Sequence, residues 1–167
     1  KARPWEGTQG ALHWVFQGDS RLRQLFAAIV LTFDKNNLIY RMEWWEKGEW
    51  QDIEKVHSKL QHFGKFHATM EVAHTKLPLR ITFFWDPALV RFNETTIAWE
   101  EDEWQRPTTL IIGVGLHISL PQQWTYHYEG EVSAALPFWL RMLDLRPKLQ
   151  QLSYNNDVIF MRIDHVQ

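Results

Sequence analysis

Eight histidines offer the first possible chemistry in this chain. A protein-bound zinc ion needs three or four nitrogen, sulfur or carboxylate ligands converging within about 2 Å of one point. The spacing works against that. His57 and His62 are five residues apart, roughly 140° around a helix, so they cannot share an ion. His67 falls on the polar side of an alternating stretch. His117 and His127 belong to successive strand-like segments and could face one another across a sheet. There is no His-x-His or His-x-x-x-His and no cysteine, so the expectation is no metal site and no cofactor.

The other candidate chemistries are equally thin. An acidic run, Glu100-Glu101-Asp102-Glu103, is flanked by Trp99 and Trp104. It could meet a cation or a partner, although such runs are usually solvated loops. Catalytic carboxylates need a fixed separation in a cleft, which a run does not supply. Gly113-Val114-Gly115 matches no phosphate-binding loop or dinucleotide fingerprint, because a strand pattern follows it where a helix is required. Its glycines fit a bulge or a close backbone approach. Gly-x-Ser-x-Gly is absent, and the five serines show no nucleophile pattern. The reading is a protein without catalytic residues.

What remains is aromatic surface. The chain has ten Trp and ten Phe, and large aromatics dominate both cores and interface centres. Trp44 and Trp45 are adjacent and so point to opposite faces of a strand. One can be core while the other must be covered. Trp45, Trp50, Trp99 and Trp104 are the interaction candidates. Ile39, Phe84, Ile159, Met161 and Ile163 are of the kind that fill a second sheet face, either between two modules or against a partner.

Composition sets outer limits. The 167 residues are 45% hydrophobic, enough for a true core. The formal net charge is −2, so no basic field draws in nucleic acid or anionic membrane. Arg21, Arg23, Lys55, Lys59, Lys65, Arg80 and Arg91 are dispersed rather than striped. No apolar run reaches the roughly 18–20 residues of a membrane span. The chain opens at Lys1, so any membrane attachment is expected only through an anchor upstream of that residue.

The elements that must position these residues follow from periodicity. Residues 11–17 alternate as a strand. Asp19 or Ser20 caps a helix with the stripe Leu22, Leu25, Phe26 and Ile29. Val30–Phe33 and Leu38–Trp45 read as a hairpin about Asp34-Lys35-Asn36-Asn37. Gln51–Phe63 reads as a helix stopped by Gly64, and 66–72 as a strand. Leu79–Trp85 alternates. Thr95–Trp99 is a short strand candidate. Val114–Leu120 and Trp124–Tyr128 are further strands, followed by a helix from Ser133. Pro147 ends it, and Leu149–Tyr154 with Val158–Val166 forms a final hairpin. Leu31–Arg41 and Leu152–Arg162 look like two copies of one hairpin, each preceded by a strand, a Gly-acid pair and a helix. The fold expectation is therefore α+β, built of tandem or duplicated ferredoxin-like βαββ modules with antiparallel sheets. The first module covers residues 1–75 and the second 76–167, packed together as one unit if their faces meet.

The C-terminal stretch carries a resemblance. Tyr126-His127-Tyr128-Glu129-Gly130-Glu131-Val132, an amphipathic helix, and Leu145-Arg146-Pro147-Lys148-Leu149 leading into the last hairpin resemble the periplasmic ferredoxin-like domains of PilO-type and GspM-type pilus and type II secretion assembly proteins. The resemblance covers residues 110–167. The N-terminal module and the tryptophan content depart from that family. It implies a non-enzymatic, dimerising scaffold at the periplasmic face of an inner membrane, with a protein partner or a second copy and no nucleic acid. A cytoplasmic location is the alternative. Two other functions remain open: a carrier of a small hydrophobic ligand or lipid in a curved aromatic sheet, and an RNA-binding tandem ferredoxin-like protein, which would need a basic aromatic sheet face.

Overall fold

A computed structural model describes residues 5, 8–42, 51–52, 69–87, 89, 91–102, 106–113 and 138–161. Among the described residues, seven strands form one mixed sheet in the order β3-β2-β4-β5-β1-β6-β7. In chain order these are β1 (Leu12–Gly18), β2 (Leu38–Met42), β3 (Gln51–Asp52), β4 (Met70–His74), β5 (Leu79–Trp85), β6 (Thr109–Gly113) and β7 (Asp157–Phe160). The helices are α1 (Ser20–Thr32), α2 (Phe92–Glu101) and α3 (Phe138–Ser153). β1 lies inside the sheet, parallel to β5 on one side and to β6 on the other, and β7 continues the parallel half. The β2, β4 and β5 pairings are antiparallel.

The α+β class holds, but the sheet is mixed rather than antiparallel. The two look-alike segments are not hairpins. In each, the first residues finish a helix, a turn follows, and only the second half is a strand. The two strands are also placed differently: β2 pairs antiparallel with β4, whereas β7 pairs parallel with β6. The residue 75/76 division falls in the turn between β4 and β5, which pair directly from Met70 to Ala73. Strands from both sides of it share the one sheet.

Helical periodicity accounts for each misread element. Val30 and Leu31 look like strand residues, yet Val30 extends the buried stripe Leu22, Phe26, Val30 at intervals of four, so α1 runs on to Thr32. Asp34 then caps the 3-10 turn Lys35–Asn37 by accepting from Asn36 N. Thr95–Trp99 is helical because Phe92, Thr95, Thr96 and Trp99 share a buried face. Pro147 does not end the last helix, and Leu149–Ser153 is helix rather than strand. Met142, Leu145, Leu149 and Leu152 make one stripe toward the sheet, and α3 continues through Pro147 to Ser153. Gln51 and Asp52 start no helix but pair with Tyr40 and Ile39 as β3. The expected strands at 114–120 and 124–128, and the rest of the Gln51–Phe63 helix, lie outside the described residues.

The helices cover both faces of the sheet. α1 packs on the face made by Phe16, Leu38, Tyr40, Met70, Val72, Ile81 and Phe83. Phe26 sits at its centre with no exposed surface, edge-on to Phe16 at 5.9 Å and tilted on Phe83 at 5.7 Å. Burying such a ring contributes roughly 2–3 kcal/mol. α2 and α3 cover the opposite face, where Val15, Leu110 and Ile112 meet Leu89, Phe92, Trp99, Leu145 and Leu149. No helix among the described residues is long and apolar enough to cross a membrane.

Candidate functional site

Three places in this fold hold residues with something to offer. The first is the carboxyl end of the parallel strands, where α/β sheets commonly bind ligands. Gly18 ends β1 against Gly113 of β6. A Cβ on Gly18 would lie 2.0 Å from the Gly113 carbonyl oxygen, so only glycine fits. The close approach expected of Gly113 is therefore real, with Gly18 as its counterpart. Asp19, fully buried, caps α1 by accepting from Arg21 N at 3.0 Å. Asp86, at the end of β5, accepts from Gln17 Nε2 (2.7 Å) and Arg91 N (3.1 Å), and Thr95 Oγ1 reaches Gln17 Oε1 at 3.3 Å. These carboxylates satisfy backbone and amide donors that would otherwise be buried at a cost of about 1–3 kcal/mol each. Their work is to hold the β1–α1 and β5–α2 loops.

The second is a charged network near the amino ends of β1 and β5, on the α2 face. Register creates it: Arg41 sits opposite Glu71, and His13 opposite Arg80. Glu71 accepts from Arg80 Nη1 at 2.9 Å and pairs with Arg41 through its other oxygen. Arg80 Nη2 lies 2.7 Å from His13 Nδ1. The same nitrogen lies 3.3 Å from the Arg106 carbonyl, which only accepts, but the guanidinium is closer and only donates, so Nδ1 accepts and the ring proton on Nε2 is donated to Thr82 Oγ1 at 2.8 Å. His13 thus stands as a neutral imidazole, a hydrogen-bonded strand histidine. Burial pushes the Arg80 guanidinium down, Glu71 works against it, and the net pKa is lowered to about 10. Arg80 stays charged at neutral pH. Beside this network opens a cavity of about 470 Å³, whose lining includes the polar residues His13, Arg80, Arg106 and Thr108 and the apolar residues Trp5, Leu12 and Pro78.

The third is the outer edge of β7. Ile159 and Phe160 are 47% and 48% exposed, and Met161 39%. Neighbouring side chains alternate across the strand, so apolar surface shows on both faces of this edge. A groove of about 700 Å³ runs beside it between β7 and α3, lined chiefly by Met142, Leu143, Leu149, Val158 and Phe160. Among the described residues β7 has one strand neighbour, β6. Natural edges usually carry lysine, proline or a bulge against pairing with another chain, and among the described residues of this edge Asp157 is the only charge.

The interaction candidates fare unequally. Trp99 is 1% exposed and stands perpendicular to Phe92 at 6.3 Å. It is a core residue, because the helical face of α2 turns it onto the sheet. Trp45, Trp50 and Trp104 lie outside the described residues, as do His57, His62, His67, His117 and His127. Of the acidic run, Glu100 and Glu101 form the exposed end of α2, and Asp102 caps it. Phe84 packs on the α2–α3 core, whereas Ile159 and Met161 remain on the surface. Among the described residues no three His, Asp or Glu side chains are grouped to hold a metal ion. Comparison with protein-family models, curated proteins and solved structures returns no match.

Proposed function

We propose that this chain is a non-enzymatic interaction module that associates with a second copy of itself through β7. One observation carries the reading: an edge strand whose apolar residues Ile159 and Phe160, with Met161 directly after them, are exposed, and whose only charge among the described residues is Asp157. A two-fold axis beside β7 would pair it antiparallel with its copy, placing Asp157 opposite Phe160 and Val158 opposite Ile159. The two acidic side chains would then avoid each other, and the sheet would continue across the interface. The carboxylates at the strand ends support the same reading, since the contacts of Asp19, Asp86 and Glu71 hold the fold together. A scaffold role in a pilus-type or secretion-type assembly, as the C-terminal resemblance implies, is compatible with such a module and belongs to the same proposal.

The test is sedimentation velocity over a concentration series. The chain should sediment as a species of twice 20.0 kDa that dissociates on dilution. The double variant Ile159→Lys/Phe160→Asp should weaken the dimer at least about tenfold, since aromatic anchors at interface centres contribute about 2 kcal/mol or more each. Its circular dichroism spectrum should be unchanged, because both side chains are half exposed. A strict monomer at every concentration would sink the reading, and so would a double variant that dimerises as well as the parent.

A further inference from the structure

The chain enters the sheet through a segment that is held at two points. Downstream, the Leu12 N–H donates to the Pro78 carbonyl at 2.7 Å, and β1 runs beside β5 from there. Upstream, the Trp5 indole N–H donates to the His74 carbonyl at 2.6 Å. That acceptor is itself fixed. His74 Nδ1 accepts from the Lys76 and Leu77 N–H groups at 3.1 and 2.9 Å, which ties the turn between β4 and β5. Between the two points Thr8, Gln9 and Gly10 are exposed. The backbone bonds of this stretch are short-range: Thr8 N–H to the Trp5 carbonyl at 3.0 Å, and Ala11 N–H to the Thr8 carbonyl at 3.2 Å.

Two backbone angles set the segment apart. Trp5 has φ +63°, a left-handed conformation that a bulky residue keeps only where its surroundings impose it. Gly10 has φ +77°, and a Cβ there would meet nothing within 4 Å. The first angle holds strain that the indole bond must oppose. The second is a joint that needs glycine for its angle and has open space about it. Exposed backbone and imposed strain belong to the parts of a fold that open before the rest. Trp5, Thr8, Gln9, Gly10 and Ala11 also contribute to the lining of the cavity of about 470 Å³. We propose that they form a strap, pinned by Trp5 on His74 and hinged at Gly10, which lifts away while the sheet stays folded and so opens that cavity. The device is separate from the β7 edge and does not depend on self-association.

The experiment is hydrogen exchange of the whole chain followed by NMR. The Trp5 indole N–H and the Thr8 and Ala11 amides should be protected and should exchange together, faster than the Val15 and Phe16 amides inside β1. Low urea should leave the strap protons unchanged and speed those of β1, because lifting a strap exposes little surface and unfolding exposes much. Two variants loosen the strap by different physical means. Trp5→Phe keeps a ring and removes the indole donor. Gly10→Val puts a β-branched residue at a left-handed angle, with nothing for its side chain to strike. Each should speed exchange at Thr8 and Ala11 at least about threefold, the size of a lost hydrogen bond or a strained angle, while the β1 amides keep the parent's rates. The inference fails if the strap protons exchange at the β1 rate, if they show no protection, or if both variants exchange like the parent.

Discussion

Gly18 is the residue on which the parallel half of the sheet turns. It ends β1 where that strand meets β6, and the chain then enters α1 through Asp19, whose own N–H donates to the Gly113 carbonyl at 3.0 Å. The atom in the way of a side chain is a backbone oxygen, so no rotamer change can make room, and β1 and β6 would have to move apart. Gly18→Ala is therefore expected to cost about 3 kcal/mol, at the upper end for overpacking. Urea denaturation followed by tryptophan fluorescence measures it, and a loss below about 1 kcal/mol would show that the strands separate easily. The buried charges obey a related logic. Arg41, Glu71, Arg80 and His13 hold one another through direct cross-strand and diagonal neighbours, and none of them could be buried alone.

At the scale of elements, α3 contains a local contradiction that the rest of the fold overrides. Pro147 lies inside the helix and cannot donate to the Leu143 carbonyl. The stripe Met142, Leu145, Leu149 and Leu152 still draws both sides of it onto the sheet. Proline in a helix interior is about 3 kcal/mol worse than alanine, offset by up to about 1 kcal/mol from its stiffer unfolded chain. Pro147→Ala should thus stabilise the protein by about 2 kcal/mol in the same denaturation assay, and a destabilisation would mean that the bend at Pro147 is needed for packing. The same stripe explains what could be read from the sequence. Leu22, Phe26 and Val30, or Phe92, Thr95 and Trp99, carry the helical interval plainly. The runs Val30–Thr32 and Thr95–Ile97, rich in β-branched residues, suggest strands only when taken alone. Strands β1, β2 and β5 were legible because their alternation is local. The site was not legible. His13 and Arg80 are 67 residues apart and meet only through the pairing of β1 with β5. Ile159 and Met161 were read as a face to be covered, but that β7 sits at the outer edge depends on which strands pair, and no local pattern encodes pairing.

At the scale of the whole molecule, the decisive fact is that β1 has no partner from its own half of the chain. β1 pairs with β5 and β6, both beyond residue 75, and α1 buries Phe26 against Phe83 as well as Phe16. A chain ending at residue 75 would keep β2, β3 and β4 paired, leave β1 with neither neighbour, and strip the covering residues Leu79, Ile81 and Phe83 from the α1 core. Nor would residues 76–167 suffice, since β5 and β6 are held side by side through β1. Two independently folding modules would each unfold cooperatively, whereas one interlaced sheet would not survive division. The separate fragments 1–75 and 76–167 are expected to give weak circular dichroism and no sigmoidal thermal transition. Mixed in equal amounts, they should recover the spectrum of the intact chain, because the missing strand slots then find their partners. A cooperative melt from fragment 1–75 alone would overturn this, and would mean that β1 had found a partner within its own half.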